Sequence, residues 1–133
     1  MKTMPLLLVA EDDPDDQLLI QDAIETVCSP DLNTRFVWDG VELIELLQKG
    51  DGRSKPGLII LDLNMPRKDG RTALREIKAD PNLAGIPVVV LTTSVNESDA
   101  EFCEQNGIAG YYRKPSSMHE LREIIGSLCS KFC

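Results

Sequence analysis

Several residues able to do chemistry stand directly after short apolar runs. Glu11, Asp12 and Asp13 follow Leu6-Leu7-Leu8-Val9-Ala10, and Asp62 follows Leu58-Ile59-Ile60-Leu61. Thr92 closes Pro87-Val88-Val89-Val90-Leu91, and Lys114 follows the short run from Gly110 to Arg113. Carboxylates gathered at one place repel each other unless a cation neutralises them, and an all-oxygen donor set suits a hard divalent ion. Mg²⁺ is the natural choice, since it takes one or two carboxylates, several waters and phosphate oxygens. A carboxylate beside such an ion can attack phosphorus and form an aspartyl phosphate. Asp62 is the expected acceptor, with the Lys114 ammonium to pair with the added charge and the Thr92 hydroxyl to donate to a phosphoryl oxygen. Pro115 is expected to set a fixed turn that aims Lys114 inward, with the isomer of the Lys114-Pro115 bond left open.

For these residues to meet, the runs that precede them must lie side by side. Apolar runs bounded by turn signals alternate with stretches of helical period, the mark of an α/β chain whose parallel sheet is covered on both faces. Strands are expected at Leu6 to Ala10, Asn33 to Val37, Leu58 to Leu61, Pro87 to Leu91 and Gly110 to Arg113. Asp13 should cap a helix that begins with Pro14, where a missing amide costs nothing, and that buries Leu19, Ile20, Ala23, Ile24 and Val27. Further helices are expected from about Val41 to Gln48, Arg71 to Ala79, Ser98 to Gln105 and Ser117 to Leu128, with Phe132 and Cys133 beyond the last one free to reach a partner. The polar segments Lys49 to Gly57 and Asp80 to Ile86 read as loops. In open parallel sheets ligands bind beyond the carboxyl ends of the strands, which is where Glu11, Asp12, Asp62, Thr92 and Lys114 fall.

Taken singly these signals have bland readings. Acids at a helix start are favourable in any case, and threonine and tyrosine favour strands. Taken together, Leu8-Val9-Ala10-Glu11-Asp12-Asp13, Leu61-Asp62-Leu63-Asn64-Met65-Pro66-Arg67-Lys68-Asp69-Gly70, Leu91-Thr92-Thr93-Ser94 and Lys114-Pro115 resemble the receiver domain of bacterial response regulators over nearly the whole chain. The resemblance implies a doubly wound, flavodoxin-like fold of five parallel strands in the order 2-1-3-4-5. It implies that Asp12 holds the metal directly and Glu11 through water, that Asp62 adds a carboxylate oxygen, and that Asn64 adds its backbone carbonyl. It also implies a switch made of Thr92 and Tyr111, in which the threonine moves toward the phosphoryl group and the tyrosine ring turns inward. The surface altered would be the fourth helix, fifth strand and fifth helix, binding a downstream protein or a second copy as a homodimer. The donor would be a histidine kinase. More narrowly, the stretch from Leu61 to Arg71 and Ile86-Pro87-Val88-Val89-Val90-Leu91-Thr92-Thr93-Ser94 resemble small receivers that partner phytochrome kinases. Such domains speed their own phosphorylation and dephosphorylation without being enzymes toward other molecules.

Composition bounds the alternatives. The 133 residues are expected to form one compact domain, residues 1–133, and no output domain is expected after the last helix. A net charge of -8 argues against nucleic-acid binding, whose backbone is itself anionic. No apolar run approaches a membrane span, so a cytoplasmic location is expected, and the four cysteines, lacking any C-x-x-C pair, are expected to be reduced thiols. Three rival functions fit the residues less well. An aspartate-nucleophile phosphatase would want an acid two residues beyond its nucleophile, where Asn64 stands. A flavodoxin-like carrier would want a phosphate-cradling loop where Glu11-Asp12-Asp13 stands. An interaction module independent of phosphorylation would not need the acids, threonine and lysine together. His119, after the lysine, reads as a surface residue of the last helix.

Overall fold

The computed structural model describes residues 6–49 and 55–133, so residues 1–5 and residues 50–54 of the loop from Lys49 to Gly57 lie outside the described residues. Five strands and five helices alternate: β1 (Leu6–Ala10), α1 (Pro14–Val27), β2 (Asn33–Val37), α2 (Gly40–Lys49), β3 (Leu58–Leu61), α3 (Gly70–Ala79), β4 (Val88–Thr92), α4 (Glu97–Gln105), β5 (Gly110–Arg113) and α5 (Met118–Phe132). All strand pairs are parallel and the order is β2-β1-β3-β4-β5, the doubly wound α/β arrangement expected. No helix among the described residues is long and apolar enough to cross a membrane.

Successive strand residues point to opposite faces, so each central strand feeds two layers. Leu8, Ala10, Ile59, Leu61, Val88 and Val90 face α2 and α3, whereas Leu7, Val9, Leu58, Ile60, Val89 and Leu91 face α1 and α5. That double burial is why these strands read as unbroken apolar runs. Pro87 stays just outside β4, but its carbonyl accepts the Ile59 amide at 2.9 Å.

Three expectations need correction. Leu19 and Val27 are 45% and 39% exposed, because α5 and the sheet cover only the narrower stripe of Ile20, Ala23 and Ile24. The last helix runs on to Phe132, whose ring packs on the layer beneath α1 and α5 instead of reaching outward. Cys28 and Cys129 are joined in a disulfide with their Cα atoms 6.1 Å apart, which ties the end of α1 to the last turns of α5. Their sequence separation of 101 residues hides the pairing from any local spacing rule, and only Cys103 and Cys133 are free thiols. The peptide bonds of the described residues are all trans, which settles the isomer before Pro115.

Candidate functional site

Register brings the acids together. Ala10 is paired with Leu61, and the Asp62 amide donates to the Ala10 carbonyl at 3.1 Å, so Glu11 and Asp62 emerge side by side where the β1-β3 ladder ends. On the other flank Thr92 is paired with Arg113, and the Lys114 amide donates to the Thr92 carbonyl at 2.8 Å. The ladders thus deliver an acid pair, a hydroxyl and a lysine to one edge of the sheet.

At that edge carboxylate oxygens of Glu11, Asp12 and Asp62 lie within 4.8 Å of one another. Glu11 and Asp62 are buried and Asp12 is exposed. Asp13 turns away: its Oδ1 accepts the Asp15 and Asp16 amides and caps α1, as its position before Pro14 predicts. The Lys114 Nζ lies 2.5 Å from Glu11 Oε1, 2.7 Å from Asp16 Oδ2 and 3.2 Å from Asp62 Oδ2. Burial alone would lower the lysine's pKa, but hydrogen bonds to Asp16 and Glu11 and the charge of Asp62 carry it above its ordinary value. Burial pushes Glu11 up to about 7, against the hydrogen bond from Lys114. Asp16 was not foreseen as part of the site. It sits one turn into α1, where the sequence offers only an acid at a helix start.

The loop after Asp62 is held by two glycines. A side chain at Gly70 would place its Cβ 2.2 Å from the Asp62 carbonyl oxygen, and one at Gly40 would place it 2.1 Å from the Lys68 carbonyl oxygen. Gly40 donates its amide to that Lys68 carbonyl and Gly70 donates to the Leu63 carbonyl, both at 2.9 Å. Between them the chain turns through a left-handed residue, Arg67 at φ 66°, whose guanidinium lies 3.3 Å from buried Asp39. The turn keeps Asn64 beside the acceptor, its amide donating to Asp62 Oδ1 at 3.2 Å. Pro115 follows Lys114 along the same edge, beside Asp16, Leu91 and Leu121.

Thr92 is fully buried, and its hydroxyl oxygen accepts the Ser94 amide at 3.3 Å. The Tyr111 ring packs on the α2-α3 layer with its hydroxyl buried, and that burial raises the phenol above its ordinary value against the pull of Ser94. Close by lies an ion pair that sequence reading missed. Arg71 Nε and Nη2 each lie 2.6 Å from an Asp99 oxygen, and the Ser94 hydroxyl donates to Asp99 Oδ2 at 2.7 Å. Arg71, with help from Ser94, holds Asp99 down at about 2. Its members lie 28 residues apart in sequence, and a charged residue on an amphipathic helix gives no sign of what it faces. His119 stands on the surface, paired with Glu123 one turn on.

An all-oxygen cluster of two buried acids and one exposed acid fits a hard divalent ion, since the exposed side admits water and a phosphate oxygen. The Lys114 ammonium already balances part of the cluster's charge and would still be at hand for an added phosphoryl group.

The chain is similar to known proteins over most of its length. The family profile described as the response regulator receiver domain matches residues 7–126. The chain is 37% identical over 123 residues to response regulator Rcp1 of Synechocystis sp., covering 90% of this chain and 83% of that protein. It superposes on the phosphorylated cyanobacterial phytochrome response regulator RcpA with a TM-score of 0.86 at 38% identity, covering 96% of this chain and 93% of that one. The Mn²⁺-bound form of Rcp1 superposes with a TM-score of 0.83 at 36% identity, covering 95% and 92%.

Proposed function

The chain belongs to the response regulator receiver family, and on that premise we propose that Asp62 is the residue through which it takes its place in a phosphorelay. The observation that carries the assignment is the meeting of Asp62 with Glu11, Asp12 and Lys114 at one sheet edge. An Asp62 carboxylate oxygen attacks the phosphorus of a phosphohistidine; the new O–P bond forms as the N–P bond breaks, and the leaving imidazole takes a proton. Mg²⁺, held by Asp12 and Asp62, by Glu11 through water and by the Asn64 carbonyl, would supply positive charge for the phosphoryl oxygens. Lys114 and the Thr92 hydroxyl take the remaining oxygens, and Pro115 fixes the chain behind the lysine. These groups serve both phosphorylation and hydrolysis, so the chain speeds its own turnover and is not an enzyme toward other molecules.

The donor is a histidine kinase of phytochrome type, a reading supported by the likeness to Rcp1 and to a regulator described as a phytochrome response regulator. The signal leaves through α4, β5 and α5, with Thr92 and Tyr111 as the switch, to a protein partner or a second copy of the chain in the cytoplasm. No nucleic acid takes part, consistent with the net charge of -8.

Intact mass tests the core of this. Wild-type protein incubated with phosphoramidate and Mg²⁺ should gain one phosphoryl group, labile to hydroxylamine, whereas Asp62→Asn or omission of Mg²⁺ should prevent it. An adduct that survives in Asp62→Asn would mean another acceptor.

A further inference from the structure

The ion pair between α3 and α4 closes a polar path around the acceptor. It begins at the carbonyl of Leu63, the residue after Asp62, which lies 3.5 Å from Arg71 Nη1. It crosses the Arg71 fork to Asp99, passes to the Ser94 hydroxyl, and returns through the Ser94 amide to the Thr92 hydroxyl oxygen. The two ends are the chain just beyond Asp62, past the end of β3, and the last residue of β4. With a lone pair of Thr92 already engaged by Ser94, the threonine's own proton is left to donate. Asp99 is 8% exposed although it lies on α4, a helix otherwise burying only Cys103. A charge withdrawn from water there needs a strong partner, and the planar guanidinium supplies two parallel bonds.

We propose that Arg71 and Asp99 are positioning residues for phosphoryl transfer: through Ser94 they fix the distance between the acceptor Asp62 and the Thr92 hydroxyl. The inference rests on Asp62 being the phosphoacceptor and adds two residues that never touch the phosphoryl group. A brace across the site works by removing freedom from the hydroxyl before the donor arrives, so its loss slows the step without abolishing it. The fork is needed as well as the charge, because a lysine ammonium cannot hold both Asp99 oxygens in one plane.

The test is the rate of Asp62 phosphorylation by phosphoramidate with Mg²⁺, followed by intact mass, in full-length wild type and variants. Asp99→Asn and Ser94→Ala should each slow the rate roughly 10-fold, and Arg71→Lys should fall between them and wild type. In a Thr92→Ala background Asp99→Asn should have no further effect, since the brace acts through that hydroxyl. A variant lacking both Cys28 and Cys129 should lose stability yet keep the wild-type rate, which separates positioning from general loosening. Ser94→Ala covers the case in which Asp99→Asn fails to fold. Rates within twofold of wild type in both, or an Asp99→Asn effect that persists without Thr92, would overturn the brace alone. A wild type that takes no phosphoryl group would remove the acceptor assignment and the brace together.

Discussion

Of the helices that cover the two faces of the sheet, α4 is held differently from the rest. Beneath α1 and α5 the buried contacts are apolar, with Ile20, Ala23, Ile24, Leu121, Ile125 and Leu128 in the interior; an exposed Arg122–Asp22 pair at 3.4 Å and a disulfide also join the two helices. On the opposite face α2 and α3 pack in the same manner, but α4 fully buries only Cys103 and Asp99, with Phe102 half-buried against the core. It is tied to α3 by the Arg71-Asp99 ion pair and by the Arg75 guanidinium 5.4 Å from the centre of the Phe102 ring. Apolar packing is non-directional and strong, whereas polar ties are directional and exchange partners readily. The proposed switch of Thr92 and Tyr111 would fall beside α4, where the ties are polar, and not beside α1.

The contrast is broken most forcefully from its apolar side. Ile125→Ala, at a fully buried position on α5, should lower unfolding free energy by about 2–5 kcal/mol in urea titration. Cys103→Ala on α4 should cost far less, about 1 kcal/mol. Similar losses from the two would deny the difference between the layers. Next in size is the covalent tie. Replacing Cys28 and Cys129 by serine should cost about 2–4 kcal/mol, because the unfolded chain regains the freedom of a long loop. A melting temperature unchanged by a reducing agent would show that the apolar contacts alone hold that layer.

A smaller effect than the disulfide's sharpens the polar side. Asp99 titrates near 2 in the fold, against 3.8 for a free aspartate. A folded value below the unfolded one means the stabilisation is complete above about pH 4 and disappears as pH falls through about 2. It should amount to roughly 1–2 kcal/mol. Acid unfolding of wild type and Asp99→Asn should therefore converge below pH 2, and curves that stay parallel from pH 6 to 2 would remove the ion pair's contribution.

What the sequence disclosed and what it withheld divide along the same line. Leu58 to Leu61 and Val88 to Leu91 are unbroken apolar runs because both faces are covered, and each ends on a polar residue that can only lie at a sheet edge. Asp62, Thr92 and the acids after Ala10 were legible for that reason, as was the helix opened by Asp13 and Pro14. Arg71, Asp99 and Asp16 were not, since a charged residue on a helix looks alike whether it faces water or a partner. The α1 stripe was drawn too wide because periodicity marks a face but not how much of it a neighbour covers, and Val27 stays partly exposed although it lies against Gly126. The Cys28-Cys129 pair depends on how α1 and α5 lie together, which no spacing encodes.

That disulfide also divides the polypeptide into a closed ring and two tails. Asp62, Thr92 and Lys114 belong to the ring, whereas Glu11, Asp12 and Asp16 belong to the amino-terminal tail. The tail's strand β1 lies between β2 and β3, both of which are in the ring. The acid cluster is therefore assembled across a covalent boundary. A protease cut anywhere in the ring leaves the oxidised protein one molecule on a non-reducing gel, while a cut between β1 and α1 leaves the strand that precedes Glu11 and Asp12 held by the sheet alone.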